Sequence, residues 1–253
     1  MLSTEFQTTD LASECSDPDV GGVFPVSLDD VRRAHRVVME HLPPTPLVSH
    51  PLLGQRVGCE AFVKLENTHN IGSFKIRGGL NLLAEMSEAE KARGLVTATR
   101  GNHGQSLARA AAMHGVRCTI FVPGGNNPHK NAAMAALGAE VIEAGHDFDA
   151  AMMTAEQFAR AKDARLVHPA REPALIAGVG TIALEMLAEA GHLDALFLPV
   201  GGGSIAAGMS IVFNALSPQT KIYGVQAENA PAMHHAWHTG EERPHAVTGT
   251  IAD

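Results

Sequence analysis

The stretch Ser73-Phe74-Lys75-Ile76-Arg77-Gly78-Gly79 sets one lysine between an aromatic ring and a run of small residues. Ahead of it lies the apolar and polar run 61–66, and behind it the helix-like run 79–86. Lys75 therefore sits where a strand and its loop hand over to a helix. Helix N-termini carry unpaired N–H groups and partial positive charge, which suit a phosphate and help hold a lysine amine neutral. A neutral amine is a nucleophile. Taken alone, the stretch is equally well read as a solvated cation that opens a helix.

Two glycine clusters follow strand-like runs: Thr99-Arg100-Gly101-Asn102-His103-Gly104-Gln105-Ser106 and Pro199-Val200-Gly201-Gly202-Gly203-Ser204. In α/β folds, ligands gather at the carboxyl ends of strands, where loops feed helix N-termini. Three successive glycines let the backbone approach an anion closely, Ser204 adds a hydroxyl, and the next helix adds its N-terminus. This pattern reads as a phosphate cradle, with an empty tight turn as its plainer alternative. The same residues, Gly201 to Ala206, also satisfy the G-x-G-x-x-A dinucleotide fingerprint, as do Gly178 to Ala183. The Gly178 match falls inside a helical pattern with no strand just before it and is set aside. The Gly201 match is followed by a strand-like run ending near Gln226 and Glu228, so an NAD-binding oxidoreductase stays open. That reading leaves Lys75 and the Asn102 loop without a role.

The elements that must position these residues alternate along the chain. Ser27, with Asp29 and Asp30 behind it, starts a helix over 28–41, and Pro43-Pro44 stops it. An extended stretch, Pro44-Thr45-Pro46-Leu47, follows. Strand-like runs at 61–65, 95–99, 118–122, 140–143, 165–168, 193–200 and 221–226 then alternate with helix-like runs. The helices fall at 76–86, 102–114, 128–137, 148–162, 174–190 and 203–215. Such alternation predicts an α/β fold with parallel sheets. Residues 1–24 are polar and without periodicity, the composition of a loose arm.

With 253 residues, 45% hydrophobic, the chain can bury a large core as one domain or two lobes. Nineteen basic against 27 acidic residues give a net charge of −8. No basic run interleaved with aromatics appears, which argues against nucleic acid as a partner. Cys15, Cys59 and Cys118 are odd in number and far apart, which fits a reducing, cytoplasmic setting. No signal peptide is evident, and no apolar run approaches a membrane span.

Taken together, Ser73-Phe74-Lys75-Ile76-Arg77-Gly78, Gly101-Asn102-His103-Gly104-Gln105 and Gly201-Gly202-Gly203-Ser204 resemble the fold-type II pyridoxal-phosphate enzymes, in the threonine/serine dehydratase and serine racemase branch. Supporting segments are Thr45-Pro46-Leu47, Lys130-Asn131-Ala132-Ala133-Met134, Leu137-Gly138-Ala139-Glu140, His168-Pro169 and Ala177-Gly178-Val179-Gly180-Thr181. The resemblance runs from about residue 28 to the last residue. It implies a two-lobe, three-layer α/β fold with parallel-rich sheets, like the tryptophan synthase β subunit. The large lobe would comprise 1–93 and 172–253, and the small lobe 94–171. It implies pyridoxal 5'-phosphate between the lobes, held covalently by Lys75, whose freed amine would take the Cα proton of a small amino acid. Phe74 would flank the ring and Asn102 would bond its phenolic oxygen. Gly201, Gly202, Gly203 and Ser204 would hold the phosphate. Ser73, Thr99, Asn102 and His103 would receive the substrate carboxylate through side chains or loop N–H groups. A homodimer or higher homo-oligomer is also implied. The plainer readings are that Ser73 and Asn102 cap helices, His103 is a first-turn residue and Phe74 belongs to the core.

Three features depart from the family pattern. Arg100 stands where racemases of this family carry a serine base; an arginine stays protonated, so racemisation by two bases is disfavoured. Beside the substrate loop, Arg100 could instead favour a second carboxylate, as in 3-hydroxyaspartate, or simply point into solvent. Where some members bind a divalent cation, this chain has Gln226 and Ala232 in place of acids, with Ala230 between; His234, His235 and His238 lack a companion ligand cluster, so no metal is expected. Finally, related enzymes continue beyond the aspartate matching Asp253, which suggests a truncated product or a short chain with an incomplete sheet. The leading function is α,β-elimination on L-threonine or L-serine to a 2-oxo acid and ammonia. The alternatives are a related lyase or hydroxyectoine-type dehydratase, an inactive cofactor-fold protein, and the NAD-binding oxidoreductase.

Overall fold

Ser27 opens the first helix, α1 (Leu28–His41), through a reciprocal cap: Asp30 N donates to its hydroxyl, and its own N–H donates to the Asp30 carboxylate at 2.7 Å. Val31, Ala34 and Val38 form the buried stripe of α1. The structure, a computed structural model, describes residues 25–241 and 250. The arm expected over 1–24, with Cys15, and the end at Asp253 lie outside the described residues.

After α1, strands β1 (Leu47–Ser49) and β2 (Phe62–Lys64) pair antiparallel, with Val48 opposite Val63. They flank α2 (Pro51–Val57). Helices α3 (Lys75–Glu85) and α4 (Glu88–Arg93) follow. A four-stranded parallel sheet comes next, in the order β5-β4-β3-β6, built from β3 (Leu95–Ala98), β4 (Cys118–Val122), β5 (Glu140–Glu143) and β6 (Arg165–Leu166). Its crossovers carry α5 (Asn102–Met113), α6 (Pro128–Ala136) and α7 (Phe148–Lys162). Every residue of β3 and β4 is buried, as a parallel sheet covered on both faces requires. Then come α8 (Pro173–Ala190), β7 (Ala195–Pro199), α9 (Ser204–Leu216), β8 (Lys221–Val225) and α10 (Ala232–Thr239), with β7 and β8 paired in parallel.

The chain is thus α/β with predominantly parallel sheets, as the alternation predicts. The antiparallel β1–β2 pair and the short helices α2, α4 and α10 are additions to that reading. Pro51 at the first helical position and the Ser87-x-x-Glu90 cap box were available signals for α2 and α4.

Three apolar clusters hold the layers together. One joins α3 and α5 to one face of β3 and β4 through Leu80, Leu83, Leu107 and Ile120; a second joins α1, α8, α9 and β7 through Val31, Ile182, Leu198 and Phe213. The third, with Phe121 and Ala155, lies beneath α7.

Helix α8 is the spine of the molecule. A Cβ on Gly178 would lie 2.5 Å from Arg77 O and 2.7 Å from Gly78 Cα, so α3 and α8 touch backbone to backbone. On its other side, a Cβ on Gly208 would lie 2.6 Å from Ile176 O and 2.8 Å from Gly180 N, which brings α9 equally close. Gly178-Val179-Gly180 is therefore a packing seam inside a helix, and its dinucleotide-like spacing is incidental. Contrary to the sequence expectation, α8 is long and apolar enough to cross a membrane. Two-thirds of it is buried against other helices, the setting of a core helix.

Candidate active site

Three serines, one from the preceding turn and two from distant segments, converge on Lys75, the first residue of α3. Its amine donates to Ser204 Oγ at 2.8 Å, its backbone N–H to Ser73 Oγ at 3.3 Å, and its carbonyl accepts from Ser106 Oγ at 2.5 Å. The Nζ atom also stands 5.2 Å from the centroid of the Phe74 ring. Burial disfavours the charged form and lowers the Lys75 pKa from 10.5 to about 8. A substantial neutral fraction is then present near neutral pH, which an ordinary lysine lacks.

The second glycine cluster forms the other wall. Gly203 takes a left-handed conformation, with φ of 87°, and no side chain caps the N-terminus of α9 that it opens. A Cβ built on Gly201 would meet nothing within 4 Å. Open glycine backbone, an uncapped helix start and the Ser204 hydroxyl make a site fit for a phosphate, with the Lys75 amine at its rim.

The Asn102 loop is shaped from within. Thr99, buried, accepts from Gly101 N at 3.1 Å. Asn102 is exposed at the first position of α5, and the N-cap is Gly101, so Asn102 does not serve as a cap. Its side chain remains available to a ligand. His103 is turned inward: Thr97 Oγ1 donates to Val167 O at 2.7 Å, which leaves its oxygen to accept from His103 Nε2 at 3.0 Å. Burial first, then Lys75 and His168, push the His103 pKa down to about 3, so it stays neutral. Its ring is buried and held by Thr97. Arg100 is exposed, and its carbonyl accepts from Asn126 Nδ2 at 3.2 Å.

Behind Lys75 lies a charged cluster that the sequence reading does not contain. Arg77, fully buried, donates Nε and Nη2 to Glu66 at 2.8 and 2.9 Å, and Nη1 and Nη2 to Glu185 at 2.5 and 2.9 Å. Lys64 Nζ lies 2.8 Å from Glu185 Oε2, and Thr45 Oγ1 donates to Glu66 Oε1 at 2.6 Å. Two cations thus meet two carboxylates. Burial alone would raise the Glu66 pKa, but His69, Arg77 and Thr45 beside it outweigh that and hold it at about 2.

Residues 38–253 match the family described as pyridoxal-phosphate dependent enzyme. The chain belongs to that family. Within it, relatives include threonine dehydratases and serine racemases. The chain is 36% identical over 228 residues to the L-threonine ammonia-lyase of Thermotoga maritima, covering 90% of this chain and 57% of the relative. It is 33% identical over 230 residues to the catabolic L-threonine dehydratase of Escherichia coli, covering 91% and 70%. Among solved structures, the serine racemase of Dictyostelium discoideum superposes with a TM-score of 0.80 at 31% identity, over 85% of this chain and 70% of the other. The chain thus spans 57% to 70% of the length of these three relatives. The architecture is that of fold-type II, and the family implies pyridoxal phosphate as cofactor.

Proposed function

We propose that this chain uses pyridoxal phosphate to eliminate water, the Cα proton with the β-hydroxyl, from L-threonine or L-serine; hydrolysis of the released product by water then gives ammonia and 2-oxobutanoate or pyruvate. The observation that carries the reading is the part-buried Lys75 amine, 2.8 Å from Ser204 at the rim of an uncapped glycine cradle. When bound, pyridoxal phosphate supplies an electron sink for the bonds at Cα. Lys75 holds it covalently, and its amine, once free and neutral, accepts the Cα proton. Gly201, Gly202, Gly203 and Ser204 hold the phosphate at the α9 N-terminus. Phe74 flanks the ring, and Asn102 donates to the phenolic oxygen. Ser73, Thr99, Arg100, Asn102 and His103 form the substrate side, with the backbone N–H groups of the 99–103 loop receiving the carboxylate.

In this reading, residues 94–171 act as a small lobe against 1–93 and 172–253, closing over the amino acid to exclude water. The protein works in the cytoplasm as a homodimer or larger homo-oligomer.

Adding pyridoxal phosphate to the purified chain is expected to give an absorbance band near the visible edge, lost on borohydride reduction and absent in Lys75→Ala. No band in the wild type would sink the proposal. A second reading, elimination from 3-hydroxyaspartate, is favoured by the exposed Arg100 beside Gly101. Comparing threonine with threo-3-hydroxyaspartate in wild type and Arg100→Ala separates the two; an unchanged preference removes the second.

A further inference from the structure

Ser106 lies mid-helix in α5, where a serine hydroxyl commonly bonds back to the carbonyl one turn earlier. Here it is 1% exposed and instead crosses to the neighbouring helix, donating to Lys75 O at 2.5 Å. That approach depends on Gly79: a Cβ at position 79 would lie 2.4 Å from Ser106 Oγ and 2.9 Å from Ser106 O. A carbonyl oxygen has two lone pairs, so Lys75 O can accept from Ser106 as well as within its own helix. The Lys75 peptide units are thus fixed on one side by Ser73 and on the other by Ser106.

We propose that Ser106, admitted by Gly79, is a positioning residue that locks the register of α3 against α5 and so directs the Lys75 amine toward the glycine cradle. The lysine stem has four rotatable carbons, and its reach is defined only if the backbone it leaves from is fixed. The same latch ties the helix that starts at Lys75 to the helix that starts at Asn102. The two ends of the site therefore move as one. This rests on Lys75 being the reactive amine, yet it concerns the chain without its cofactor and is tested there.

The test is acetylation of Lys75 in the full chain without cofactor, followed by mass spectrometry across pH, in wild type, Ser106→Ala and Asn81→Ala. Asn81 is the control: its Nδ2 donates to Ala174 O at 2.9 Å, so it anchors the same helix six residues further on. Alanine at 106 removes one atom and favours helix, so folding is retained. The titratable group facing Lys75 from α5 is His103, which is neutral throughout the range and leaves the midpoint to the amine itself. The expected wild-type midpoint is about 8, moving toward 10.5 in Ser106→Ala as the amine swings into water. Asn81→Ala should keep the wild-type midpoint while lowering the thermal midpoint as Ser106→Ala does. The proposal is overturned if Ser106→Ala titrates like wild type, if Asn81→Ala shifts as far, or if the wild-type amine titrates as an ordinary lysine. A shifted midpoint in a chain that gives no band with pyridoxal phosphate would retain the latch and reject the function.

Discussion

Lys75 and Ser204 lie 129 residues apart in sequence and meet at 2.8 Å, and that contact has measurable consequences. The neutral amine is the form that reacts, and burial holds its pKa near 8. Capture of pyridoxal phosphate by the chain should therefore accelerate as pH rises through about 8 and level off above it. Stopped-flow absorbance would read this, and a rate still climbing toward 10.5 would contradict it. Ser204→Ala removes a hydroxyl from the phosphate side; one hydrogen bond to a charged group is worth about 1.5–3 kcal/mol, so affinity should fall roughly tenfold to a hundredfold by absorbance titration. At this scale the sequence was partly legible. Lys75, Ser204 and the Asn102 loop stood out because motifs are local. Ser106 and Arg77 did not: a serine inside a helix looks like surface, and Arg77 finds its partners at positions 45, 66, 181 and 185, which no spacing rule connects.

Among the elements, α3 carries the site and is clamped on two sides. The Arg77 cluster ties it to α8 and to the end of β2. Replacing Arg77 with Met would leave the buried Glu185 and the part-buried Glu66 without their principal cation, at a cost of about 3–5 kcal/mol in urea unfolding. The clamp also sets acid sensitivity. Because Glu66 is depressed from 4.5 to about 2 in the folded chain, its contribution is present above pH 4.5 and is lost as pH falls from 4.5 toward 2. A chain whose thermal midpoint stayed level across that window would refute the assignment. Gly178→Ala drives a methyl group to within 2.5 Å of Arg77 O and should cost about 1–3 kcal/mol, with Lys75 displaced along with α3. Helix boundaries were legible where caps are written in the sequence, as at Ser27 and Asn127. The direction of the β1–β2 pair was not, because two strands of three residues carry no period that distinguishes antiparallel from parallel pairing.

Across the whole molecule, the two parallel sheets are treated differently. Both faces of β3 and β4 are covered, whereas β7 buries only Leu196 and Leu198 and leaves Ala195, Phe197 and Pro199 exposed. Phe197 is 67% exposed and stacks on Tyr223 at 5.0 Å. An apolar face of this kind binds hydrophobic dyes and promotes association. Phe197→Ser should lower dye fluorescence and light scattering while leaving unfolding stability within about 0.5 kcal/mol; unchanged scattering would show that the face is inert. The spine of α8 carries a further consequence, for how this sequence can change over generations. At Gly101 and Gly104 an added methyl would strike Lys130, Met134 and Thr99 side chains, so a second mutation nearby can make room. At Gly178 and Gly208 it would strike peptide atoms of the facing helix, which every residue type possesses. No substitution across the seam can suppress a lesion there, so a lineage that loses either glycine has no local route to repair except reversion.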